Sequence, residues 1–216
     1  MARETDRAAL AAEVCIALKR CCPGSGAELT GSLASGTADA FSDIDIAWVV
    51  PDAHFPDCLA RTVEVLGRVQ PVDSVRSNPD FHRSDRRRLL FVRFAGVSLF
   101  WRLDLDVRTL SVADDLHYDA GNPAARAREG EWSRPASALA NAVGAVKAAA
   151  RKRDVEARGL LDRGFARIGE NDRATGAWVN DVARLAHAVA LRDSALSDLA
   201  SQVTLLAARH LGSSGA

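Results

Sequence analysis

Apolar residues are spaced in two different ways along this chain, and the change comes about halfway. Up to about residue 110, runs with a helical period alternate with runs of period two; beyond about 135 only the helical period persists. Leu10, Val14, Ala17 and Leu18 predict one amphipathic helix over 4–20, which CCPGSG stops with proline and glycine. AELTGSLA predicts a short strand, GTADAFS a loop, and DIDIAWVV a strand bounded by Pro51. Leu59, Val63, Leu66 and Val69 predict a helix from Asp57 to Val69, and Pro71 to Ser77 predicts a further strand. After the polar loop NPDFHRSDRRR, the run RLLFVRFAGVSLFWRLDLDV predicts a hairpin turning at Ala95 and Gly96. In its second arm Leu99, Trp101, Leu103, Leu105 and Val107 point one way, and Phe100, Arg102, Asp104 and Asp106 the other.

Strand signals stop after Thr109. The polar, Asn-Pro-containing stretch 111–134 predicts a linker, and Pro135 opens an alanine-rich helix with Leu139, Val143 and Val146 that runs to about Gly169. One or two more helices fill 172–211, and GSSGA reads as a frayed end. The expected class is α+β: a mixed β-sheet with flanking helices over 1–110, then the linker, then an α-helical bundle over 135–212.

Composition narrows the function classes. Lys and Arg number 28, as do Asp and Glu, so the formal net charge is zero, and the excess of positive charge expected of a nucleic-acid binder is missing. No apolar run approaches the roughly 20 residues that span a bilayer. The start MARETDRAALAAE is charged from the third residue and has no continuous apolar region, so a cytoplasmic location is expected. Cys15, Cys21, Cys22 and Cys58 form no CxxC pair and suggest free thiols, and the five histidines show no metal spacing.

The candidate chemistry lies in GSLASGTADAFSDID, residues 31–45. Asp43 and Asp45 are two apart on a predicted strand, so both carboxylates leave the same face. Two such groups stay ionised together when a divalent cation lies between them, and an oxygen-only donor set suits Mg²⁺ shared with substrate phosphates. Gly31 lets backbone N–H groups approach a phosphate, and Ser32 adds a hydroxyl donor. A two-metal site needs more carboxylate than this pair supplies. Asp104 can add it, with Asp106 on the same face as its competitor.

These residues resemble the nucleotidyltransferase superfamily with the polymerase-beta-like fold. Its signature of glycine-serine, a loop, Asp-x-Asp and a third aspartate on a later strand matches Gly31, Ser32, Asp43, Asp45 and Asp104. The text RLDL favours Asp104 over Asp106, and Ser42 fits the common SDIDL form. The match covers roughly residues 27–50 and 98–107, and Ser35 stands in a loop position where many small members carry arginine. The resemblance implies ATP as donor and two Mg²⁺ on Asp43, Asp45 and Asp104. It further implies nucleotide contacts from Gly31, Ser32 and Ser42, and from Lys147 in the helical half. The implied reaction moves AMP onto a hydroxyl and releases pyrophosphate.

The layout is closest to antibiotic nucleotidyltransferases, which makes the expected acceptor a small molecule such as an aminoglycoside or lincosamide. Relatives of that kind are often dimers, so a homodimer is left open. The alternatives are an antitoxin-type enzyme that adenylylates a partner protein, and a nucleotide-binding module without chemistry. Structural readings stand beside these. Asp104 can form a salt bridge with Arg102 or Arg93, and Asp106 reads better as structural. The run Arg86 to Arg88 can meet a triphosphate or merely solvent. Glu129, Glu131 and Glu156 are unranked candidates for a base.

Overall fold

The computed structural model describes residues 6–212. The start of the helix expected from residue 4 and the end of the GSSGA tail lie outside them. The chain divides into two compact units, 1–132 and 133–216.

The first unit opens with α1 (Arg7–Cys21), capped where Asp6 accepts a hydrogen bond of 3.0 Å from the Ala8 N–H. Next come β1 (Gly26–Leu29), a single helical turn α2 (Gly31–Ala34), β2 (Ile44–Val50) and α3 (Phe55–Gly67). β3 (Val72–Ser77), β4 (Arg87–Phe94) and β5 (Leu103–Thr109) complete the element set. The strands form one mixed sheet in the order β1-β2-β5-β4-β3. β2 and β5 run parallel, and the other neighbours are antiparallel.

Alternation along the strands decides which side chains face the helices. Ile44, Ile46, Trp48 and Val50 of β2 and Leu103, Leu105 and Val107 of β5 are all buried, packed with Leu10, Val14 and Leu18 of α1 and Phe55, Val65 and Leu66 of α3. Each contributes about 1.5–3 kcal/mol by leaving water. The same parity turns Asp45, Asp104, Asp106 and Arg108 to the other face of the sheet.

The second unit contains α4 (Arg134–Ala150), α5 (Asp154–Arg167), α6 (Trp178–Arg192) and α7 (Ser197–Leu211). α4 packs against α5, α6 and α7, and α6 against α7. Fold class is therefore α+β as expected: a five-stranded mixed sheet with helices, then a helical region.

Several segments differ from their predicted form. GSLA is a helical turn and not the end of a strand; the Ser35 hydroxyl donates back to the carbonyls of Gly31 and Ser32 and closes it. The hairpin does not turn at Ala95 and Gly96 alone, because β5 begins only at Leu103. Residues 98–101 form a turn of their own, with the Trp101 N–H on the Ser98 carbonyl and Phe100 buried edge-on against Phe41 at 5.2 Å. The long helix from Pro135 is two helices. Lys152 takes a φ of +59° and reverses the chain, while Asp154 and Glu156 begin the next helix with favourable charge. The stretch 111–132 is tied to the first unit. Arg87 donates to the Leu116 carbonyl at 2.7 Å, the Arg83 N–H to Ala125 at 2.8 Å and the Ala127 N–H to Pro79 at 2.7 Å.

Candidate active site

Strand register brings the sequence-distant aspartates together. On the parallel pair β2 and β5, Asp45 stands directly opposite Asp104. The row continues through Phe91 on β4 to Arg76 on β3. Asp43 lies two residues before Asp45, where the Ile44 N–H donates to the Arg102 carbonyl at 2.9 Å and zips the two strands together at this end.

Gly31 sits against the same pair. Its φ is +60°, and the Thr30 N–H donates to the Asp45 carbonyl at 2.9 Å, so the backbone passes over the Asp45 side chain. A Cβ at residue 31 would come within 2.9 Å of Asp45 Cγ and closer still to Oδ2. Only glycine suits both the conformation and the space. Ser32 follows in the same turn and is half-buried. Ser42 is buried, and its hydroxyl is engaged with Asp39: it donates to the carboxylate and accepts from the Asp39 N–H, both at 3.0 Å. Arg7 clamps the same loop through the carbonyls of Asp39 and Ser42. In this arrangement Ser42 fixes the approach to Asp43. Lys147 belongs to the second unit and lies on the buried side of α4.

Arg102 dominates the electrostatics. Its Nε donates to Asp104 Oδ1 at 2.5 Å, and its Nη2 to Asp104 Oδ2 at 2.7 Å and to Asp43 Oδ2 at 3.1 Å. Its guanidinium also lies 4.8 Å from the centre of the Phe91 ring, which Arg76 approaches at 4.4 Å. The salt bridge to Arg102 anticipated for Asp104 is present, while Arg93 pairs with Asp73. Among the described residues no hydrogen bond or ion pair reaches the Asp45 carboxylate. Burial pushes its pKa up, the negative charge of Asp104 pushes it further, and Arg102 pulls the other way. Asp106 is bound on both sides by Arg87 and Arg108 at 2.7–3.1 Å, which makes it a structural ion-pair centre. The arginine run disperses: Arg86 meets Ser111, Arg87 meets Asp106, and Arg88 meets the Ser84 carbonyl. Glu131 pairs with Arg83 and Glu156 with Arg153.

For Mg²⁺ the donor set is suitable in kind, since three carboxylates share one end of two adjacent strands and two of them crowd each other. Among the described residues, however, no three metal-ligating side chains converge as a ready cage. Arg102 occupies the interval between Asp43 and Asp104. Phe91 and the central position of Arg102 were not legible as site features, because only register puts Phe91 beside Asp104. No protein-family model and no curated protein matches the chain.

Proposed function

We propose that the protein is a Mg²⁺-dependent nucleotidyltransferase that moves AMP from ATP onto a hydroxyl of a small molecule, of the aminoglycoside or lincosamide kind. One observation carries this reading: Gly31, Asp45 and Asp104, from three separate segments, meet at one place on the sheet, with Asp43 joined to them through Arg102. Asp43, Asp45 and Asp104 would hold the ions. Bound there, Mg²⁺ neutralises phosphate charge and lowers the pKa of an attacking hydroxyl. Gly31 keeps the backbone close to Asp45 and leaves room for phosphate oxygens, to which the Ser32 hydroxyl donates. Asp104 orients the acceptor hydroxyl and takes its proton, the oxygen attacks the α-phosphorus, and pyrophosphate departs. Lys147 stays assigned to the nucleotide by the resemblance alone.

A second reading, a nucleotide-binding module without chemistry, draws on the engagement of Asp104 and Asp43 by Arg102. One experiment separates the two. The purified chain is incubated with α-labelled ATP, Mg²⁺ and a panel of aminoglycosides and lincosamides, and the label is followed. Transfer to a small molecule is expected, with a loss of at least about a hundredfold in Asp43→Asn and Asp45→Asn. Asp106→Asn should keep its transfer once corrected for folded fraction. Bound ATP with no label moved onto any acceptor favours the silent module, and label on protein favours the partner-modifying alternative. Transfer undiminished in Asp45→Asn rules out the assignment of the site.

A further inference from the structure

We infer that Arg102 is a tethered counter-cation that competes with divalent metal for Asp43 and Asp104, so that loading the carboxylate row requires its guanidinium to leave them. The inference rests on the nucleotidyltransferase reading of the site and concerns how that site is filled.

The geometry of the contacts is the argument. Arg102 takes both oxygens of Asp104 in a bidentate pair and one oxygen of Asp43, so a single planar cation holds two of the three carboxylates. Side-chain exposures of 19–25% leave these groups only partly screened by water. The backbone of Arg102 is fixed by the bond from the Ile44 N–H to its carbonyl, whereas its side chain has several rotatable bonds. The guanidinium can therefore leave without disturbing the strand. The Phe91 ring lies 4.8 Å from Cζ and is shared with Arg76, so the Arg102 guanidinium keeps an aromatic contact when it leaves the carboxylates. Asp45, the carboxylate that Arg102 does not bind, is the natural point of entry for a divalent ion. Asp104 stands opposite Asp45 on the neighbouring strand, so a doubly charged ion held by Asp45 would compete there with the singly charged guanidinium.

The test is Mg²⁺ titration of the full chain by calorimetry, with no nucleotide or acceptor present, on the wild type, Arg102→Gln and Arg102→Lys. Arg102→Gln should bind Mg²⁺ at least about tenfold more tightly, because the charge-assisted contacts to Asp104 and Asp43 no longer have to be broken. Its metal-free form should melt at a lower temperature than the wild type and regain more on addition of Mg²⁺, because Asp104 and Asp43 then lose their contacts to the guanidinium. Arg102→Lys keeps the charge but loses the bidentate fork and should fall between the two. Should Arg102→Gln fail to fold, the wild type still decides. Its Arg102 Nε–H resonance, identified by its loss in Arg102→Lys, should shift on Mg²⁺ addition as the ion pair opens. Equal or weaker Mg²⁺ affinity in the variants, or a resonance that does not respond to bound metal, overturns the inference and leaves the enzyme reading standing. Absence of Mg²⁺ binding in wild type and variants alike, with ATP present or not, overturns both.

Discussion

Gly31 couples backbone conformation to the carboxylates. Its φ of +60° lies in the left-handed region, and the place of a side chain is already taken by Asp45. Gly31→Ala therefore meets two penalties: a strained backbone, costing about 1–2 kcal/mol, and a collision that the Asp45 side chain must relieve by turning away. The expected outcome is a lower urea midpoint together with weakened Mg²⁺ binding, read by denaturation and by metal titration on one preparation. A variant with wild-type metal affinity would mean that Asp45 does not need its present rotamer. The contrast between Asp104 and Asp106 belongs to the same scale. Both face the same side of β5, yet Asp106 is held by two arginines from β4 and β5, and Asp104 by one that is also shared with Asp43.

Individual elements are held by polar anchors as much as by apolar faces. In the helical unit, Asp181 of α6 is fully buried and accepts from the Thr175 and Gly176 N–H groups at 2.8 and 2.9 Å, from the Thr175 hydroxyl at 3.0 Å and from Arg184 at 2.9 Å. Burial by itself raises the pKa of this carboxyl, but the hydrogen bonds from Arg184, Gly176 and Thr175 outweigh it and hold the value below the usual carboxylate range. The contribution to stability is thus fully present above the unfolded-state value of about 3.9 and is lost as pH falls through the folded value. Asp181→Asn should cost about 2–4 kcal/mol at neutral pH, since several buried donors lose a charged acceptor, and the difference from wild type should shrink below about pH 4. Urea unfolding at pH 7 and at pH 3.5 checks both halves. Close helix contact adds a steric constraint: a Cβ at Gly164 of α5 would press on Leu185 of α6.

Across the whole molecule, 28 basic and 28 acidic residues cancel. With a sequence pI near 7.0, mutual repulsion between copies is weakest at neutral pH. Light scattering in low-salt buffer from pH 5.5 to 8.5 should accordingly give a solubility minimum near pH 7, relieved by added salt if residual charge patches drive the association. Among the described residues no helix is long and apolar enough to cross a membrane. A groove between α1 and α3, lined by Glu13, Arg20, Arg61 and Arg68, lies on the opposite side of the sheet from the aspartates.

The class of fold, the parity of the strands and the residue types at the candidate site were legible in the sequence. Period-two burial in IDIAWVV and LDLDV follows from local alternation, and glycine, serine and carboxylates announce themselves by type. Tertiary structure decided what no local pattern encodes. Register set Asp45 opposite Asp104 and brought Phe91 beside them, because pairing partners are chosen by the packing of the whole sheet. It also gave Asp106 its two arginine partners, turned the Ser42 hydroxyl into a loop lock, and broke the helix after Ala150 at a lysine that carries no breaker signal. Each of these depends on which groups come within a few ångströms after the chain has folded, and spacing along the sequence does not fix that.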